Sequence, residues 1–135
     1  MASIFTRIIN GEIPCYKIAE NEHCFAFLDI NPLAKGHTLV VPKKEVDYLF
    51  DLDYNSYHEL MSFSKQVARA IDRAIPSMRV GVAVIGLEVP HAHIHLIPLH
   101  SGTINFSDPK LKLEKDELEN IASKIRDSFA GPAER

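Results

Sequence analysis

The chain has no basic excess: 15 Lys and Arg stand against 18 Asp and Glu, for a formal net charge of −3 over 135 residues. A general nucleic-acid binder gathers Lys and Arg on one face, so that class is excluded, although a small cationic pocket is not. Cysteine is scarce. Cys15 and Cys24 lack the spacing of a zinc knuckle or a redox pair and read as buried, reduced thiols. No run approaches ~18 apolar residues, which excludes a membrane-spanning helix. The N-terminus has neither the basic region nor the apolar core of a signal peptide, so a cytoplasmic location is expected. Repeats and low-complexity segments are also absent. The length is that of one domain spanning residues 1–135, large enough to fold without a disulfide or metal staple.

Several segments carry clear periodicities. Ser3 is placed to cap a short helix containing Ile4, Phe5 and Ile8 that Gly11 ends. Residues 15–20 and 24–28 read as strands joined by a turn at Asn21-Glu22-His23. After a break at Asp29-Ile30-Asn31-Pro32, residues 37–41 read as a third strand stopped by Pro42. From Ser56 to Ile75, the residues Leu60, Ser64, Val67, Ala68, Ile71 and Ile75 repeat at the helical period. Met61 and Phe63 fall off that stripe, where a partner could meet them. Residues 80–85 and 91–99 read as two more strands, joined through Gly86-Leu87-Glu88-Val89-Pro90. Asp116 and Glu119 have a capping-box-like spacing and open a C-terminal helix with Leu118, Ile121, Ala122, Ile125 and Phe129 on its apolar stripe. The tail 131–135 is expected to fray. The expectation is an α+β domain with a five-stranded antiparallel sheet and two main helices.

The most unusual feature is His91-Ala92-His93-Ile94-His95. On a strand, side chains alternate between faces, so the three imidazoles share one face while Ala92, Ile94 and Leu96 face a core. Three readings follow. A solvated histidine face is the plainest. A metal site is the second, but the outer Cα atoms would lie about 13 Å apart, so only two of the rings could share one ion and a third ligand would come from elsewhere. The third is catalysis at phosphorus, in which one neutral ring is the nucleophile while its neighbours handle protons and charge.

The run His91 to Ile97 matches the defining motif of the histidine triad family, His-x-His-x-His followed by two hydrophobic residues. Ile4-Phe5-x-x-Ile8-Ile9-x-x-Glu12-Ile13-Pro14 resembles the family's opening. Phe27 to Pro32 resembles its nucleoside-pocket segment, and His37-x-Leu39-Val40-Val41-Pro42-Lys43-Lys44 its fourth-histidine strand. These blocks cover residues 4–99 in the family's order. The resemblance implies a homodimeric enzyme that hydrolyses or transfers nucleotides at the α-phosphorus without a cofactor. It makes His93 the nucleophile that forms a nucleotidyl-histidine intermediate. His91 and His95 would orient it and bind phosphate oxygens, and His37 would be the fourth active-site histidine. Asp29 would bind the ribose hydroxyls, and Phe5, Ile8, Phe27, Leu28 and Ile30 would wall the base of a purine nucleotide or nucleotide conjugate. Glu88 and Val89 would lie along the phosphate.

Two departures stand out. The phosphoramidase branch carries an Asn and a longer Gly-rich connection before the triad, where this chain has Val82-Ala83-Val84-Ile85-Gly86. That branch and the dinucleoside polyphosphate branch carry Gln and then Ser or Thr after the glycine, where Leu87 and Glu88 stand here. Glu88 is therefore expected either to turn away from phosphate or to hold a neighbouring histidine protonated, with the second favoured. Ser3 and Thr6 stand where some members place cysteine ligands for a structural zinc, so no such metal is expected. The leading activity is hydrolysis of a nucleoside 5′-phosphoramidate or a related nucleotide. The alternatives are dinucleoside polyphosphate hydrolysis, a nucleotide-binding module with weak catalysis, and a metal-dependent hydrolase.

Overall fold

The computed structural model describes residues 2–129, so the expected frayed tail lies outside the described residues. The elements run α1 (Ile4–Ile9), β1 (Lys17–Glu20), β2 (Cys24–Leu28), β3 (Thr38–Pro42), a 3-10 turn (Leu49–Asp51), α2 (Tyr54–Ala74), β4 (Arg79–Ala83), β5 (Ile94–Leu99) and α3 (Lys115–Phe129). The strands form one antiparallel sheet in the order β1-β2-β3-β5-β4. The α+β class and the five strands are those the sequence predicts. No helix among the described residues is long and apolar enough to cross a membrane.

The period of two along each strand divides the molecule into two apolar layers. Cys24, Ala26, Leu28, Val40, Ala92, Ile94 and Leu96 face α2 and α3 in the main core, with Leu60, Val67, Ile71, Ile121 and Ile125 opposite them. Each fully buried aliphatic side chain contributes roughly 1.5–3 kcal/mol there. On the other face Phe25, Phe27, Leu39 and Val41 pack under Phe5 of α1, with Ile8 and Val89 beside them. Phe63 belongs to the main core, 2% exposed and 6.0 Å from the Phe129 ring, because the buried face of α2 is wider than one stripe. It is therefore unavailable to a partner; Met61 remains half exposed.

Local chemistry moves several element ends. Asp53 caps α2, its carboxylate accepting from Ser56 N–H at 2.7 Å, so the helix begins before Ser56. Helix α3 starts at Lys115, which puts Asp116 inside its first turn as a charge matched to the helix dipole rather than as its cap. Strand β3 includes Pro42, which lies beyond the β5 pairing at Thr38–Val40 and so needs no N–H toward β5. Gly36 (φ +94°) turns the chain into β3; a Cβ there would lie 3.1 Å from Ile75. The largest correction falls on the last strand. Regular pairing begins only at Ile94, so of the three motif histidines His95 alone lies in β5.

Candidate active site

His91 and His93 leave the regular strand, yet alternation persists: Ala92 still enters the main core, and all three motif histidines stay on the α1 side. The irregular segment is held by main-chain bonds, Ala92 N–H to Val46 O at 2.7 Å and His91 N–H to Val89 O at 2.8 Å. His91 is fully buried. Its Nε2 lies 2.7 Å from the Pro42 carbonyl, which can only accept, so Nε2 carries the proton. Its Nδ1 then accepts from the Ser3 hydroxyl at 2.7 Å. Burial pushes its pKa down. With both nitrogens occupied, His91 can orient its neighbours but has no atom left for a phosphate oxygen, which corrects that part of the expectation.

His93 is placed differently. Its Nδ1–H donates to the His91 carbonyl at 2.8 Å, which leaves a lone pair on Nε2, and no protein group among the described residues holds that atom. Phe5 packs edge-on at 4.9 Å and the His95 ring lies 5.0 Å away. His93 lines a cavity of about 200 Å³ together with Ile85, Gly86, Leu87, Glu88, His95 and Phe106, and with Nδ1 committed to the backbone Nε2 is the ring nitrogen available to it. Gly86 (φ +78°) makes the turn that starts this cavity's Leu87-Glu88 segment.

His95 and His37 form a pair. His37 Nδ1 accepts from Leu33 N–H at 3.0 Å, so its proton sits on Nε2 and is donated to His95 Nδ1, also at 3.0 Å. That leaves His95 with a proton on Nε2. Burial holds His37 at about 3 and His95 at about 4, each helped by a neighbouring cation or imidazole. Both are neutral at ordinary pH, so the 3.7 Å approach of Asp29 Oδ2 to His37 Nε2 is not an ion pair. Asp29, His37 and His95 do bring donor atoms within 4.8 Å of one another. A metal ion does not fit them. Coordination through His37 Nε2 would move its proton to Nδ1, against the Leu33 N–H. The N-terminal cluster does not fit a zinc ion either, since Ser3 and Thr6 present hydroxyls already engaged in hydrogen bonds.

The structure divides the remaining predicted residues. Asp29 stands half-buried beside His37, with Oδ1 accepting from Asn31 N–H; burial pushes its carboxyl above the usual range. Phe5 and Phe27 are in the small core on the triad face, with Ile8 and Val89 against it, and Ile30 is exposed next to Asp29. Leu28 lies in the main core on the opposite face and is not brought to the site. Glu88 lines the cavity with His93 and His95 but, among the described residues, makes no hydrogen bond or ion pair with a histidine, and burial pushes the neighbouring His95 down rather than up. The favoured reading of Glu88 is thereby overturned.

Sequence reasoning missed several participants. Phe106 packs edge-on against His95 at 4.8 Å, and Lys110 acts electrostatically on Asp29 and His37. Both lie beyond the matched blocks. Glu45 and the Leu33 amide carry no motif signal.

The family model described as HIT domain matches residues 10–102. The adenosine 5′-monophosphoramidase of Schizosaccharomyces pombe is 33% identical over 93% of this chain and 100% of its own. Among solved structures, a Hit-like protein from Bartonella henselae aligns with a TM-score of 0.82 at 32% identity, over 93% of this chain and 95% of that one. A zinc-bound histidine triad family protein from Mycobacterium smegmatis aligns at 0.79 with 26% identity, over 96% and 94%.

Proposed function

Since the chain belongs to the HIT domain family, we propose that it is a nucleotide hydrolase acting at the α-phosphorus of a nucleoside 5′-phosphoramidate or related derivative. The observation that carries this reading is the tautomer of His93: Nδ1–H on the His91 carbonyl, Nε2 free at the cavity wall. The Nε2 lone pair attacks phosphorus, the new P–N bond forms, and the bond to the leaving group breaks. The resulting nucleotidyl-imidazole is cationic, and the His91 carbonyl stabilises it by accepting from Nδ1–H. Water then attacks phosphorus, the pair of the P–Nε2 bond returns to His93, and the surplus proton goes to solvent.

His95 donates its Nε2–H to a phosphoryl oxygen, with His37 fixing the tautomer. A ring held near 4 is neutral and a weak acid, and the pairing with His37 leaves no second proton on it. That suits a leaving nitrogen already protonated before attack, which departs as an amine, better than a poor alkoxide. The reading therefore favours a phosphoramidate over a nucleotide ester whose leaving group is an alkoxide. Asp29, whose Oδ1 accepts from Asn31 N–H, would accept from ribose hydroxyls through Oδ2, and a purine base would lie along Phe5, Ile8, Phe27 and Ile30.

A homodimer belongs to the same proposal. β4 is an edge strand, and Val82, Val84 and Ile85 expose apolar surface along and beyond it. So does the cytoplasm, which suits two free thiols. The test is turnover of an adenosine 5′-phosphoramidate with base-quenched mass spectrometry of the enzyme, because a P–N bond to imidazole survives base but not acid. An adenylyl group on the peptide containing His93 is expected; steady turnover with no such adduct, and turnover retained by His93→Ala, would overturn the reading.

A further inference from the structure

One buried-to-surface network is not accounted for by the chemistry above. Glu45 lies just after β3, outside every motif, and is exposed. Its Oε1 accepts from Ser3 N–H at 2.7 Å and from the Thr6 hydroxyl at 2.6 Å. Ser3 caps α1, its Oγ accepting from Thr6 N–H at 3.0 Å while its hydroxyl proton goes to His91 Nδ1 at 2.7 Å. The far nitrogen of His91 donates to Pro42 O, and Ala92 N–H donates to Val46 O. Residues 42–46 therefore bracket His91 from both sides, and Glu45 ties that bracket to the start of α1. The chain of bonds ends at the His91 carbonyl, which holds His93 Nδ1–H at 2.8 Å.

We propose that Glu45 is a positioning residue: by pinning Ser3 and Thr6 it locks the His91 ring, and through the His91 carbonyl it keeps His93 in the tautomer and place its attack requires. Two further observations support it. The same clasp sets Phe5, the fifth residue of the chain, edge-on against both His91 (5.8 Å) and His93 (4.9 Å). The hydrogen bonds from Thr6 and Ser3 hold the Glu45 carboxyl at about 2, so the acceptor is charged throughout the working range. A misplacement of about 1 Å at a nucleophile lowers rate on the order of a hundredfold, so a surface carboxylate acting at this remove can still matter to turnover.

The inference rests on His93 as the nucleophile, and the test separates the two. Glu45→Ala, Glu45→Gln and Ser3→Ala are compared with the unaltered protein for kcat and KM on an adenosine 5′-phosphoramidate, and for imidazole ¹⁵N NMR without substrate. Glu45→Ala should lower kcat about tenfold with KM within about twofold, and His93 should shift toward a tautomer mixture while Leu and Ile methyl signals of the main core stay in place. Glu45→Gln keeps a carbonyl acceptor and should restore most of kcat. Unchanged kcat and unchanged His93 tautomer in Glu45→Ala would overturn the proposal, as would a Glu45→Gln variant no better than Glu45→Ala. If His93 proves not to be the nucleophile, the NMR arm still decides whether the clasp holds its tautomer.

Discussion

His91 and His95 sit four residues apart on the same side of the sheet and are built for different work. His91 is fully buried with both nitrogens held, one by a backbone carbonyl and one by Ser3. His95 has one nitrogen held by His37 and the other facing a cavity. A ring with no free nitrogen can only position; a ring with one can act on a substrate. His93 lies between them and has the same economy as His95, one nitrogen fixed so that the other is defined. A histidine repeat is thus not three copies of one group, and what separates them is the number of partners each nitrogen already has.

Removing the free nitrogens should expose this contrast most strongly. His93→Ala is expected to lower kcat at least about a thousandfold, roughly 4 kcal/mol in the barrier, with nucleotide affinity by calorimetry changed little. His95→Ala should lower kcat about a hundredfold, or roughly 2.7 kcal/mol, and, by leaving the buried His37 Nε2–H without its acceptor, should cost about 1–2 kcal/mol of stability. His91→Ala should act on both readouts: kcat falls at least about tenfold, because the ring that locks the His91 carbonyl against His93 is gone. The substitution also leaves Ser3 and Pro42 without their buried partner, so stability should fall by about 2–4 kcal/mol in denaturant titrations. A His91→Ala protein as stable as the parent would break the distinction.

Acid should act on the same pairs. His37 and His95 have folded values of about 3 and 4, below the ordinary histidine value of about 6.5. The unfolded chain therefore takes up protons first as pH falls. Stability is fully present above about pH 6.5 and is lost progressively toward pH 4 and then 3, by a few kcal/mol at roughly 1.4 per unit. Chemical denaturation between pH 7 and 4 measures this, and His37→Gln should flatten the dependence. The smallest effect is expected at Glu88. It lines the cavity beside His93 and His95, with no hydrogen bond or ion pair among the described residues and a repulsion with Asp29, so its charge opposes a bound phosphate. Glu88→Gln should tighten AMP binding by about two- to fivefold, under about 1 kcal/mol, and leave the pH profile of kcat/KM unchanged; weaker binding in that variant would show that the carboxylate assists instead.

Much of this was legible in the residues. The helical period of Leu60, Val67 and Ile71 located α2 and its buried face, and Ser3 announced the cap that it forms. The alternation through His91-Ala92-His93-Ile94-His95 put the imidazoles on one side even though regular pairing starts only at Ile94. Leu28 was misassigned because the matched block from Phe27 to Pro32 says nothing about face, whereas period two sends Phe27 and Leu28 to opposite layers. Phe106 and Lys110 were invisible because they reach the site from a connecting segment with no periodicity.

Side-chain order along a strand follows from backbone geometry, so the sequence by itself determined that alternate strand residues join opposite layers and that three histidines gather on one face. It could not determine what each ring nitrogen meets. Those partners are the Pro42 carbonyl, the His91 carbonyl, the Leu33 amide and the Ser3 hydroxyl, whose residue Glu45 holds in turn. The first three are main-chain groups, which every residue carries and no motif distinguishes. Only the tertiary structure brings one carbonyl rather than another to an imidazole, and that choice fixes each tautomer, leaving His93 with a lone pair toward the cavity and His91 with none.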